Sequence, residues 1–323
     1  MIEASHGWHI SVAQLITRGR TLFALGAGIL AGAAGITLGL GCLAPPAFGA
    51  AGRVTIVSAG SPRTAILIEH RRLKKGRRPA IIVLRAARKQ GSRLRHSLIL
   101  EEMARTSGAV LVYPEPLSGH WAVASSSDAN QDLQFIRDLV AKLVSHGIVN
   151  PTRLFLAGAG GGGALALRLA CDGKPKFAGV AVLASSLPSG LEASCVPPGP
   201  VPLLMISAAP DLGAARQDGT ESLPQENAGV LSVEKTLGLF GKAARCAGAM
   251  TRTVFPSKVI HNGAHAYLDK LNNCAVPVEA IQIEGGARPP PGVQIEAGTA
   301  MSMINGDVNS AQLIWEFFRP FAS

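Results

Sequence analysis

Between Pro151 and Cys171 the chain reads PTRLFLAGAGGGGALALRLAC, and no other stretch limits the fold as much. Arg153 to Ala157 alternate and run apolar in the manner of a buried strand. Ala164 to Ala170 are small, apolar and unbranched, which suits a helix. Gly158, Gly160, Gly161, Gly162 and Gly163 crowd the positions between them. A strand that turns into a helix through so many glycines passes through backbone angles that residues with a Cβ avoid.

Two functional turns have this pattern. Gly158, Gly160 and Gly163 satisfy G-x-G-x-x-G, the turn that seats a pyrophosphate on a helix N-terminus. That fingerprint also asks for an acidic residue about 20 positions on. Here the next strand ends in Ser185 and Ser186, and the nearest acid is Glu192. The other turn is the nucleophile elbow, G-x-S-x-G, of an α/β-hydrolase. Gly158 and Gly162 fill its two glycine positions and the helix that follows is right, but Gly160 stands where the serine belongs. A glycine there relieves the strain a serine would carry and removes the nucleophile.

The rest of the chain supports one sizeable domain behind an export segment. With 47% hydrophobic and 16% charged residues, 323 residues build one full core and exclude disorder. Residues 1–20 carry Arg18 and Arg20, and Leu22 to Ala51 hold no charge and end in small residues. Residues 1–49 therefore read as a secretory signal cut near Gly49, with an uncleaved N-terminal anchor as the alternative. Residues 50–323 form the domain, expected to be secreted or periplasmic. Beyond Cys42 lie Cys171, Cys195, Cys246 and Cys274. An even number suits two bridges, which export permits, and sequential pairing closes the shortest loops. No Cys or His spacing resembles a metal site.

The net charge of +10 concentrates in Arg71, Arg72, Lys74, Lys75, Arg77 and Arg78, and in Arg85, Arg88, Lys89, Arg93 and Arg95. Such a patch fits either a solvated surface or an anionic polymer or envelope surface. Few aromatics are interleaved, so specific nucleic-acid binding is not expected.

In chain order, strands are expected at Thr64–Glu69 and Ala80–Arg85, joined by the basic turn, and at Ala109–Tyr113. A helix is expected at Ser97–Ser107. A long helix follows from Asp128, its cap, to His146, with Leu133, Ile136, Val140 and Leu143 on its apolar face and Gly147 ending it. Further strands fall at Ala178–Ala184, Leu203–Ser207 and Val278–Ile283, and helices at Leu231–Ala244 and Val308–Phe318. Alternating strands and helices predict an α/β domain with a mostly parallel sheet and helices on both faces.

From about Thr64 onward the chain resembles the secreted polyhydroxybutyrate depolymerase and feruloyl-esterase-like family of α/β-hydrolases. The resemblance rests on Val110-Leu-Val-Tyr-Pro-Glu115, Asp132-Leu-Gln-Phe-Ile136 and Gly162-Gly-Ala-Leu-Ala-Leu-Arg-Leu-Ala-Cys171. Ser232-Val-Glu234, Val278-Glu-Ala-Ile-Gln-Ile-Glu-Gly-Gly286 and Ile314-Trp-Glu-Phe-Phe318 complete it. It implies an α/β-hydrolase fold, ester cleavage without a cofactor, and bridges Cys171–Cys195 and Cys246–Cys274. It also implies a serine–histidine–aspartate triad and a backbone oxyanion hole. Carried onto this sequence, the nucleophile position is Gly160, the acid position is Asp211 and the base position is Ala287. The oxyanion region is Arg85, Ala86 and Gly161, where the family's His-Gly is replaced by Arg85-Ala86. Serine, histidine and the His-Gly pair are thus all missing, the pattern of a pseudoenzyme.

Other residues are candidate substitutes. Ser185, Ser186 and Ser189 follow the next strand at the elbow's edge of the sheet but have no histidine nearby in sequence. His261 and His265 have a metal-ligand spacing, yet Asn262 and Gly263 argue for a loop. His120 and Trp121 border the expected cleft as binding candidates. Arg85 and Arg288 would fork an acidic ligand, or stand as solvated arginines. The expected function is a ligand- or polymer-binding module. The alternatives are a weak carboxylic ester hydrolase that uses displaced residues and a basic-patch binder of an anionic envelope surface.

Overall fold

The computed structural model describes residues 50–69, 77–85, 104, 107–122, 127–208, 229–255, 265–284 and 310–322. The strands are β1 (Ala50–Ser58), β2 (Ser61–Glu69), β3 (Arg78–Leu84), β4 (Val110–Pro114), β5 (Val149–Ala159), β6 (Gly179–Leu183), β7 (Leu203–Ala208), β8 (Thr251–Val254), β9 (His265–Lys270) and β10 (Val278–Glu284). The helices are α1 (Ser127–Ser145), α2 (Gly161–Asp172), α3 (Val233–Ala243) and α4 (Ser310–Phe318). The strands form one sheet in the order β1-β2-β4-β3-β5-β6-β7-β10-β9-β8. β4, β3, β5, β6, β7 and β10 run parallel, and antiparallel strands flank them on both sides.

Both faces of the sheet are covered. On one face Leu133, Phe135, Ile136, Leu139, Val140 and Leu143 of α1 join Leu165, Leu167 and Leu169 of α2 and Leu237 and Phe240 of α3 over the strands. On the other, Ala311, Ile314 and Phe318 of α4 and Ala104 cover Ile81, Leu111, Phe155 and Ile281. Phe318 stacks on Phe155 with ring centroids 4.7 Å apart. Central strands buried on both sides read as continuous apolar runs for this reason.

Several elements differ from the sequence-based expectation. α1 starts at Ser127, so Asp128 falls within its first turn instead of capping it, whereas Gly147 ends it with φ 69° as expected. β2 and β3 are not neighbours, because β4 lies between them, so the two strands do not form a hairpin. β1 was not anticipated. Its Val54-Thr-Ile-Val57 run pairs with β2 through a two-residue turn in which Ala59 and Gly60 both have positive φ, 48° and 78°. That turn twists in the sense the hairpin needs. β8 and β9 are short marginal strands, and His265 opens β9 instead of sitting in a loop. His261 lies outside the described residues.

Cys171–Cys195 and Cys246–Cys274 are bridged, closing separations of 24 and 28 residues. Loops of that size stabilise by roughly 3 kcal/mol each in the chain-entropy account. Among the described residues no helix is long and apolar enough to cross a membrane.

One charged group works against the sheet. Burial pushes the Glu279 carboxyl of β10 above its usual 4.5, and Lys270, its cross-strand neighbour on β9, offsets this only in part. Above pH 4.5 the unfolded chain gives up this proton before the folded one does, so the folded state loses stability as pH rises through the raised value. Glu279→Gln should therefore melt higher than the natural protein at pH 7. Thermal melts from pH 4 to pH 7 should show that advantage growing with pH, and a constant difference would remove burial as its cause.

Candidate functional site

Leu84, Gly158 and Val182 stand side by side at the C-terminal ends of β3, β5 and β6. Two residues past Gly158 the chain reverses into α2 through Gly160, which has φ 51° and ψ −125°. Its N–H donates to the Leu183 carbonyl at 3.0 Å, and its own carbonyl accepts from Gly163 and Ala164 at 2.9 and 3.1 Å. The residue is thus clamped between β6 and the helix in a conformation that strains any side chain. The turn has the form of a nucleophile elbow, with no side chain at its tip.

The flanking glycines are required by close approach. A Cβ on Gly162 would lie 2.2 Å from the Leu84 carbonyl oxygen, and one on Gly158 would lie 2.4 Å from that of Gly162. A Cβ on Gly163 would strike the Ser185 side chain at 2.5 Å. At Gly161 the nearest atom, the Trp121 carbonyl oxygen, is 4.0 Å away. Gly161 opens α2, and the N–H groups of a helix's first residues lack intrahelical partners. These contacts leave no room for a Cβ at Gly158 or Gly162.

Arg85 follows β3 directly and is exposed, its guanidinium 5.6 Å from the Tyr113 ring centre. Among the described residues no carboxylate lies within ion-pair reach of it. The loop after β4 lies beside it. There His120 is exposed and its Nδ1 contacts the Ser118 carbonyl at 3.1 Å. Trp121 is buried, 4% exposed, and its indole N–H donates to the Arg85 carbonyl at 2.8 Å. Of the loop's two candidates, His120 and Trp121, only His120 faces solvent. The same loop carries Leu117, 57% exposed, an apolar group at this edge that sequence reasoning missed. Its one signal is position, three residues past a strand that ends beside β3.

Asp211, Ala287, Arg288 and Ala86 lie outside the described residues, as do Arg71, Arg72, Lys74 and Lys75. The strands that precede the first three, β7 and β10, run parallel to β5, so they end at the same edge as Gly160. From the basic cluster, Arg78 pairs with Glu69. Of the three candidate serines, Ser186 Oγ shares a buried hydrogen bond with Thr236 at 2.7 Å, and Ser189 Oγ donates to the Gly229 carbonyl at 3.0 Å. Ser185 is half-buried against Gly163 and follows Ala184, whose φ is 45°. Among the described residues no group of three His, Cys, Asp or Glu side chains could hold a metal.

An acetyl xylan esterase from Aspergillus awamori superposes with a TM-score of 0.53 at 13% identity, over 80% of this chain and all of that one. The fold is that of the α/β-hydrolases. A thermostable esterase from Pseudomonas putida ECU1011 matches at 16% identity with a TM-score of 0.38, over 50% of this chain and 65% of that one. In sequence, the chain is 32% identical over 134 residues to NocK of Nocardia uniformis subsp. tsuyamanensis, a protein assigned as an esterase. That match covers 40% of this chain and 39% of NocK, well under half of the relative's length. No protein-family model matches the chain.

The glycine contacts can be tested directly. Gly162→Ala should cost about 1–3 kcal/mol through overpacking against Leu84, a fall of several degrees in Tm. Gly161→Ala, at an open helical position, should be neutral or stabilising by up to about 1 kcal/mol. Equal effects in thermal melts would contradict the close approach.

Proposed function

We propose that this chain is an exported protein of esterase descent whose cleft binds a ligand or polymer without cleaving it. The observation that carries this reading is Gly160 at the tip of the elbow, held at φ 51° and ψ −125° with no hydroxyl to attack an ester. Loss of one triad member costs about 10⁴- to 10⁶-fold in turnover elsewhere. The sequence similarity to NocK supports the esterase descent. The two bridges and the uncharged N-terminal stretch support export. Arg85, exposed beside the elbow, favours a ligand with an acidic group.

The test is hydrolysis of p-nitrophenyl acetate and butyrate by the natural protein and by the Gly160→Ser/Ala287→His variant. The natural protein should release nitrophenol no faster than buffer. Release by the variant would identify both positions, and clear release by the natural protein would overturn the reading.

One observation favours a second reading, a weak ester hydrolase with a displaced nucleophile. Ser186 and Ser189 are committed to other groups, whereas Ser185 stands against the first turn of α2. If the natural protein hydrolyses these esters, Ser185→Ala should abolish the activity. Retention would exclude that serine.

A further inference from the structure

The loop that borders the elbow is held from inside the core. Arg63 of β2 and Asp132 of α1 form an ion pair at 2.6 Å, with side chains 2% and 7% exposed. The Arg63 guanidinium also lies 4.1 Å from the centre of the Phe135 ring. Asp132 divides its two oxygens. Oδ1 accepts from Arg63, and Oδ2 accepts from the Ala122 backbone N–H at 2.9 Å. Ala122 is bonded to Trp121, whose indole N–H holds the Arg85 carbonyl. The Arg85 carbonyl in turn lies 2.9 Å from where a Cβ on Gly162 would stand.

We infer that Asp132 is a positioning residue for the cleft. It transmits the fixed geometry of the core ion pair, through Ala122 and Trp121, to the end of β3 that presents Arg85 beside the elbow. The inference rests on the binding reading given above. The chemistry favours this over a purely stabilising ion pair. A buried pair yields little net stability over apolar residues of similar volume, whereas it fixes geometry strongly because neither partner tolerates being left alone. Here the carboxylate's second oxygen is spent on the loop after β4, which borders the site. Trp121 adds a rigid, nearly dry link, because an indole has a single donor and a buried one must satisfy it.

The experiment uses hydrogen exchange by mass spectrometry on the full chain, with ferulate titration by calorimetry as a second readout. Trp121→Phe keeps a ring in the buried site and removes only the donor to Arg85. It should shift Tm by no more than a few degrees, yet raise exchange at least tenfold at Leu84, Arg85, Gly161 and Gly162. Exchange at Leu154–Ala157 and Val180–Leu183 should not change. Ferulate affinity should fall about three- to tenfold, the scale of one lost hydrogen bond. Asp132→Ala should give the same local signature with a large loss of Tm, and if it fails to fold, Trp121→Phe alone decides. Exchange that is unchanged, or that rises evenly along the chain, overturns the positioning role. If the natural protein takes up no ferulate, the binding reading fails for that probe, and the exchange pattern still decides the positioning role.

Discussion

The molecule is built around one near-contact, that between the first turn of α2 and the end of β3. With the Gly162 backbone pressed against Leu84, and Gly158 against Gly162, there is room for one chain path between strand and helix. That path sends Gly160 into a backbone region that ordinary residues leave. Part of the sheet's layout goes with the same contact. β3 has to lie directly beside β5 for the helix to reach it, and β4 takes the other edge of β3, with β2 beyond it.

A glycine at position 160 has two physical consequences. The tip carries no hydroxyl, and it avoids the strain that a side chain would store there. Backbone and chemistry are therefore separable here. Close packing maintains the elbow whether or not anything reactive sits on it. The bonds that run from Arg63 through Asp132, Ala122 and Trp121 to Arg85 likewise form without any substrate.

Much of this was legible in the sequence, for reasons that differ by element. The strand–glycine–helix turn could be read because its residue types admit few alternatives. The face of α1 could be read because Leu133, Ile136, Val140 and Leu143 repeat at helical spacing. β1 was hidden because its Val54-Thr-Ile-Val57 run follows a long uncharged apolar stretch and looks like its tail. The Ser58–Ser61 turn is the clue that separates them. β8 and β9 were hidden because short marginal strands carry no apolar run. Local pattern could not show that β4 inserts between β2 and β3, nor that Arg63 meets Asp132 69 positions away. Trp121 looked like a ligand surface because an aromatic beside a histidine in a loop reads that way until its burial is known.

The two disulfides sit at the far side of the sheet from the elbow. One holds the last turn of α2, and the other holds the turn that leads into β10. The covalent staples thus secure the base on which the parallel strands begin, and none crosses the rim where they end. Drift can accordingly proceed at two speeds. The base resists change because two cysteines must be lost or gained together. The rim can exchange its side chains one at a time while the frame beneath them endures.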